Sequence, residues 1–496
     1  MKLSLIDPAQ HRQLFLDDYA VERTYNVKRT LHQPRKDQPV LMPDRTLDQV
    51  LIQSIDEPQW NSEKKVWEWW YRALYAVPPY AMGKTTESVN THYATSEDGV
   101  RWEKPSLNLY EWRGSRDNNI AFDSSEVVCF QSRERSPSHI IRDDADYDPQ
   151  RRYKGFFNDQ LNCNRFPGVS PDGFHWTQLD VPAIPSNDTS DLTYDKISNQ
   201  YVATVKHRTE WGRSVWLSTS KDFAAWTTPR LIIHTDEIDK QNRLNRVRMV
   251  VENPEYLTPP VIDNTDYNAE LYMMSIMPYE GIYIGFPLLF NPAGTDAPQL
   301  NNTGINQVEL ATSRNLYHWN RVANRDVFLG VEPWDGVNYG TAQVSICGRP
   351  IVREDKEIWI YYQACRFRGH HSLYKDVDPK FLNDMGGIFL ARLRLDGFVS
   401  LDAKQEGEVV TRPFMLNGEN LFVNVENESG ELRAEILDAD TMAPLPGFSA
   451  SQCASIRGDH LSTCFIWEGS TTPATTKPVR VRFVMRNTRL YSFWID

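Results

Sequence analysis

Apolar and polar residues alternate along most of the chain in short runs broken by Gly, Pro, Asn and Asp. Period-two alternation bounded by such residues predicts antiparallel strands joined by tight turns. The alternation also recurs in longer units. Tyr93-Ala-Thr-Ser-Glu-Asp98-Gly99-Val-Arg-Trp102 returns as Val169-Ser-Pro-Asp172-Gly173-Phe-His-Trp176, then as Leu217-Ser-Thr-Ser-Lys-Asp222-Phe-Ala-Ala-Trp226. A fourth copy is Leu310-Ala-Thr-Ser-Arg-Asn-Leu-Tyr-His-Trp319, and a degenerate fifth is Leu390-Ala-Arg-Leu-Arg-Leu-Asp396-Gly397-Phe-Val. Each reads as a strand, a tight turn and an edge strand.

Ahead of each copy stands a second hairpin, a short strand and polar turn leading into an aromatic strand. Its instances are Trp67-Glu-Trp-Trp-Tyr71, Tyr153-Lys-Gly-Phe, Tyr201-Val-Ala, Leu-Tyr272-Met-Met, and Trp359-Ile-Tyr-Tyr. Two hairpins repeated five times predict five four-stranded sheets, and radial repetition of such sheets is a β-propeller. The early strand at Gln13-Leu-Phe-Leu-Asp-Asp18-Tyr-Ala-Val is expected to close the ring on the last blade. Segments 237–265 and 291–306 are expected as long loop insertions. Beyond Ser400 the alternation changes character, with runs such as Leu-Phe-Val-Asn-Val and Val-Arg-Val-Arg-Phe-Val. The expected organisation is an all-β chain: a five-bladed β-propeller over 1–403, followed by a C-terminal β-sandwich over 404–496.

Composition narrows the function classes. The chain carries 66 acidic against 54 basic residues, a net charge of -12. That predicts no nucleic acid and no anionic membrane as principal partner, since either favours a basic face. No apolar run is long enough to span a membrane as a helix. The six cysteines form no Cys-x-x-Cys pair, which removes the usual zinc and redox readings. No phosphate loop, His-Glu-x-x-His helix or Gly-x-Ser-x-Gly elbow occurs. The N-terminus meets Asp7 and Pro8 too early for a signal-peptide core. This predicts a cytoplasmic protein, or a periplasmic or secreted one if a signal sequence was removed. The 15 Trp, 22 Tyr and 21 Phe suit a β protein with a carbohydrate partner, because sugar C–H faces pack on aromatic rings.

Five blades with recurrent Ser-x-Asp-Gly-x-x-Trp turns and a following sandwich resemble the five-bladed propeller glycoside hydrolases, which include the invertase/levansucrase and arabinanase/β-xylosidase relatives. Arg142-Asp143 echoes the Arg-Asp-Pro motif of the invertases. The resemblance implies a glycoside hydrolase, exo-acting on a plant or algal polysaccharide or oligosaccharide. It implies no cofactor, and a structural calcium or other cation in the propeller channel would be compatible with it. The alternatives are a non-catalytic carbohydrate-binding propeller and a polysaccharide lyase.

Glycoside hydrolysis requires two carboxyl groups flanking the scissile bond, and in a propeller they must project from innermost strands into the central funnel. Asp143 and Asp191 each stand ten residues before a tyrosine that opens the next strand, Tyr153 and Tyr201. Equal spacing predicts matching heights on adjacent blades, with Asp188 the close rival of Asp191. In the resembled families a first-blade aspartate is the nucleophile or base, which points by position to Asp48, with Asp44 second. Glu280, between two aromatic strands, is a candidate general acid, or else a residue of a tight turn with Gly281. Trp334 and Asp335 are expected to line the funnel as a stacking platform with a hydroxyl acceptor. His207, Arg368 and His370 are expected as substrate-binding groups suited to a carboxylated or sulfated sugar.

Overall fold

The computed structural model describes residues 5–44, 50–74, 89–122, 133–159, 162–296, 301–368 and 373–496. Asp48 and His370 lie outside the described residues. Five antiparallel sheets surround a common axis. The first blade runs outward from Leu51–Gln53 and Gln59–Asn61 through Val66–Leu74, Val89–Ser96 and Ile120–Phe122. The second runs from Arg133–Arg142 through Tyr153–Asp159 and Asn164–Ser170 to Thr177–Gln178. The third comprises Ser190–Asp195, Gln200–Thr209, Gly212–Ser220 and Arg230–Ile233. The fourth starts at Glu270–Tyr279 and ends at Asn320–Arg321. In the fifth, Gln343–Ile346 and Ile351–Arg353 are innermost, followed by Glu357–Cys365 and Gly386–Arg394. The innermost strands of the first four blades pack on one another in sequence, Asn301–Val308 of the fourth pairs with Gln343–Ile346 of the fifth, and Gly386–Arg394 of the fifth returns to Leu51–Gln53. This is a closed five-bladed propeller.

The ring closes through a different strand from the one expected. Arg35–Leu41 is the outermost strand of the fifth blade, paired antiparallel with Gly386–Arg394. Gln13–Leu14 instead pairs with the C-terminal strand Val479–Ile495. Its alternation explains the choice. Leu14 and Leu16 bury in a propeller core, whereas Phe15 buries in the core of the C-terminal module. The segment therefore has an apolar partner on both sides.

Val21–Tyr25 and Lys28–Leu31 join the same C-terminal sheet by pairing with Val399–Thr411. That strand crosses the boundary expected at 403/404, so the C-terminal module is built from both chain ends. Its sandwich consists of long bent strands. Leu421–Asp438 and Val479–Ile495 pair along their lengths, with register shifts between Glu426 and Glu431. The halves on either side of the bend contribute to one core, in which Val423, Val425, Leu432, Ile436, Val481, Phe483, Leu490 and Phe493 are fully buried.

The repeated turn has the same bonding in four blades. Asp98 Oδ1 accepts from the N–H of Val100 and Arg101, both at 2.8 Å, and Ser96 Oγ accepts from Gly99 N–H. The Trp102 indole N–H donates back to Gly99 O at 3.2 Å. Asp172, Asp222 and Asn315 repeat the arrangement with Trp176, Trp226 and Trp319. The residue after the acid has positive φ and faces the preceding blade. A Cβ at Gly173 would come within 2.4 Å of the Trp70 ring, so that blade requires glycine. Phe223 fills the equivalent space against Phe156. In the fifth blade Asp396 leaves this pattern. It binds Arg12, Tyr279 and Ser492, tying blade to sandwich.

The insertions are also regular. Glu237–Glu252 is a helix, started by a capping box between Asp236 and Asp239. Its polar sequence hid it from periodicity, and what anchors it is ionic: Arg246 and Arg321 on Glu309, with Arg325 on Asp236 and Asp239. Residues 291–296 and 301–306 belong to the long strands Ile282–Asp296 and Asn301–Val308.

Candidate functional site

Asp143 and Asp191 do not share a height. Tyr153 pairs with Arg142, whereas Tyr201 pairs with Tyr194. The equal spacing counted through a long connection in one blade and a short one in the other. Asp191 pairs with Thr204, and the blade-two residue level with it is Ser138, opposite Phe156. Asp143 sits past the end of its strand, where its carboxylate takes a 2.9 Å ion pair from the fully buried Lys154 and a hydrogen bond from the Tyr201 hydroxyl. Asp195 accepts likewise from Tyr283 at 2.6 Å, and Glu68 from Tyr153 at 2.5 Å. These three carboxylates latch the first four blades together in sequence. The expectation of a funnel role for Asp143 is corrected accordingly.

Glu280 is likewise not a buried acid. It occupies a tight turn at φ 47° and binds the Arg12 backbone N–H at 2.8 Å and its guanidinium at 3.0 Å. Asp335 is exposed and caps a turn through the N–H of Val337 and Asn338, which hold its carboxyl below the ordinary value. Trp334 packs on Phe367 and Phe381. His207 is edge-on to Trp216, and burial lowers its pKa.

The axis contains two different polar regions. The deeper one is acidic and closed. Asp56 accepts from the backbone N–H of His139 at 2.9 Å, while its other oxygen lies 3.1 Å from His139 Nδ1. Since a carboxylate only accepts, Nδ1 donates, and Nε2 accepts from Ser190 Oγ at 2.8 Å. Arg165 Nε donates to the same Oγ at 3.0 Å. Glu57 takes Arg349 Nε at 3.1 Å. A Cβ at Gly348, at φ 63°, would meet the Glu57 carboxylate at 2.0 Å, so glycine is required there. Asp191 is fully buried; desolvation first, then the charges of Glu57 and Asp56, push its carboxyl well above the ordinary range.

The other region is the funnel mouth, built where inner strands begin and second strands end. Asp188, just ahead of Ser190–Asp195, binds Lys206 Nζ at 2.7 Å. The Asp188 side chain is 36% exposed and that of Lys206 only 3%. Desolvation would raise Asp188, but Lys206, then Arg213 and Arg165, hold it below the ordinary value. Burial lowers Lys206 to about 8, against the opposing pull of Asp188. Lys206 Nζ stands 3.9 Å from the centre of the Tyr272 ring, with Arg213 at 5.4 Å and Arg368 at 5.7 Å. The Arg368 guanidinium carbon stands over the Phe290 ring, 3.9 Å from its centre, and Nη1 donates to Gln343 Oε1 at 2.9 Å.

Of the expected site residues, the structure therefore brings together Asp188 and Arg368. Lys206, Arg213, Tyr272 and Gln343 were not foreseen. Lys206 had a signal, since it shares a strand face with Val202 and Thr204 in an otherwise apolar run. Among the described residues no three His, Cys, Asp or Glu side chains group as a metal cage.

No protein-family model and no curated protein matches the chain. Among solved structures, it is similar to a family-32 β-fructofuranosidase from Bombyx mori, at 9% identity over 92% of this chain and 93% of that one, TM-score 0.40. It is also similar to an α-L-arabinofuranosidase from Podospora anserina, solved with cellotriose, at 12% identity over 73% and 97%, TM-score 0.40. A glycosyl hydrolase from Bacteroides ovatus gives 12% identity over 77% and 96%, TM-score 0.40. The five-bladed architecture rests on the strand pairing described above.

Proposed function

We propose that the chain is a glycoside hydrolase, exo-acting on a plant or algal polysaccharide or oligosaccharide, with its substrate seated at the propeller mouth. The observation that carries this reading is Asp188, an accessible carboxylate at the head of an innermost strand, fixed by a buried lysine beside an aromatic ring. Lys206 keeps Asp188 ionised, which suits a base or nucleophile rather than a proton donor. Asp48 is proposed as the second carboxylate from its sequence position ahead of Leu51–Gln53. The burial of Asp191 supports a positioning role for it in this reading rather than contact with the sugar.

A lyase would need a tyrosine or histidine ready to take a proton. The Tyr272 phenol is pushed up by desolvation and then by Asp188, so it stays protonated, which favours carboxylate chemistry. Screening a glycan library for released reducing ends tests the proposal. Hydrolysis that Asp188→Asn abolishes is expected. Binding without cleavage would support a carbohydrate-binding propeller, and ultraviolet absorbance from an unsaturated uronide would support a lyase.

A further inference from the structure

The charges at the mouth do not balance among the described residues. Lys206, Arg208, Arg213 and Arg368 stand there against Asp188 and Glu270. Asp188 is matched by Lys206, and Glu270 is shared by Arg208 and Arg213. Among the described residues Arg368 has no carboxylate partner. Its guanidinium makes one hydrogen bond, to the neutral Gln343, and its Nε is buried without a partner. After desolvation, the groups that act on it most strongly are Tyr272, Arg213, Tyr374 and Cys365, none of them a carboxylate. The side chain cannot turn away easily, because Phe290 backs its flat face and Tyr374 holds its backbone on both sides at 3.0 and 2.7 Å.

A half-buried guanidinium whose Nε is sealed from water without a partner is costly to a fold. This one is kept in a protein of net charge -12, at the open end of its axis. The planar fork of arginine matches a carboxylate or sulfate in a way a lysine does not. Lys206 and Arg213 approach the same ring, so an anion reaching Arg368 would also feel their charge. We propose that the mouth recognises an anionic sugar residue, its carboxylate or sulfate paired with Arg368 over the Phe290 ring. This rests on the hydrolase reading only for the location of the substrate, and it stands for a non-catalytic binder as well.

Calorimetric titration of the intact chain tests it with four probes: a galacturonate trimer, its carboxyl-reduced counterpart, a sulfated galactan oligosaccharide, and a neutral arabinan trimer. One anionic probe is expected to bind at least about tenfold more tightly than its uncharged counterpart, with affinity falling as salt rises. Which anionic probe binds separates carboxylate from sulfate. Arg368→Gln should weaken that binding about tenfold or more. Arg213→Gln, at a more exposed position, should weaken it less and serves if Arg368→Gln does not fold. Equal binding of neutral and anionic probes, or no binding of either anionic probe, overturns the proposal. Reducing-end release is read in parallel. Neutral sugar bound and cleaved would sink the anionic inference and keep the hydrolase, whereas acidic sugar bound and left intact would do the reverse.

Discussion

The mouth and the floor of the propeller axis use the same kinds of residue in opposite ways. At the floor, Asp56 and Glu57 each meet an N–H donor or cation at hydrogen-bond distance, and Ser190 is held from both sides. At the mouth, Asp188 is partly open and Arg368 lacks an anion among the described residues. Two residues separate Asp188 from Asp191 in the chain, yet one carboxyl is held below the ordinary range and the other is pushed well above it. Satisfied polar groups under the funnel join blades. Under-satisfied ones at its opening leave work for a ligand. A buried acid in a propeller channel is therefore not by itself a sign of catalysis.

The comparison can be broken in several places. The largest effect is expected from ending the chain after Ser400. Leu401, Val409 and all later strands of the C-terminal core would be lost, leaving Ile6, Phe15, Ala20 and Val21 without their apolar partners. Insoluble or aggregated protein is expected on size-exclusion chromatography, and a monodisperse fragment would refute the shared core. Next, Asp143→Asn should cost about 3 kcal/mol in denaturant unfolding, because Lys154 stays buried with only Asp146 as its anion. Turnover should be retained.

Asp191→Asn should stabilise the fold at neutral pH. The folded-state pKa of Asp191 is raised, so its contribution is fully present below the unfolded carboxyl value and is lost as pH rises toward the folded one. Asparagine does not titrate. The gain in melting temperature should grow from about pH 4 upward and vanish below it. A gain independent of pH would contradict a carboxyl raised by burial at this position. The smallest effect is expected at the repeated turn, where Asp98→Ala removes an acceptor from two backbone N–H groups. It should cost about 1 kcal/mol and leave turnover unchanged.

The five-fold repeat was legible because each copy carries its own turn chemistry: an acid or Asn two residues after Ser, and Trp four residues further on. Local rules suffice for such a motif. The closing strand was not legible, since Gln13–Leu14 and Arg35–Leu41 are both short strands and only their distant partners distinguish them. The site was half legible. Asp188 and Arg368 could be named from their places at strand ends. Asp143 was misplaced because residue counts were carried through a loop, and register is set by paired residues alone. The capped polar helix at Glu237–Glu252 left no hydrophobic period to read.

The central claim is that chemistry takes place at the mouth and not at the floor. The most direct measurement compares Asp188→Asn with Asp191→Asn on one substrate that the parent chain cleaves, with folding checked by melting temperature. Loss of a positioned acid–base group is worth roughly 10²–10⁴ in rate. Asp188→Asn should lose at least about a hundredfold in kcat with its fold intact, while Asp191→Asn keeps turnover within a few-fold of the parent. The opposite split, with Asp191→Asn inactive and Asp188→Asn near native, would contradict the account.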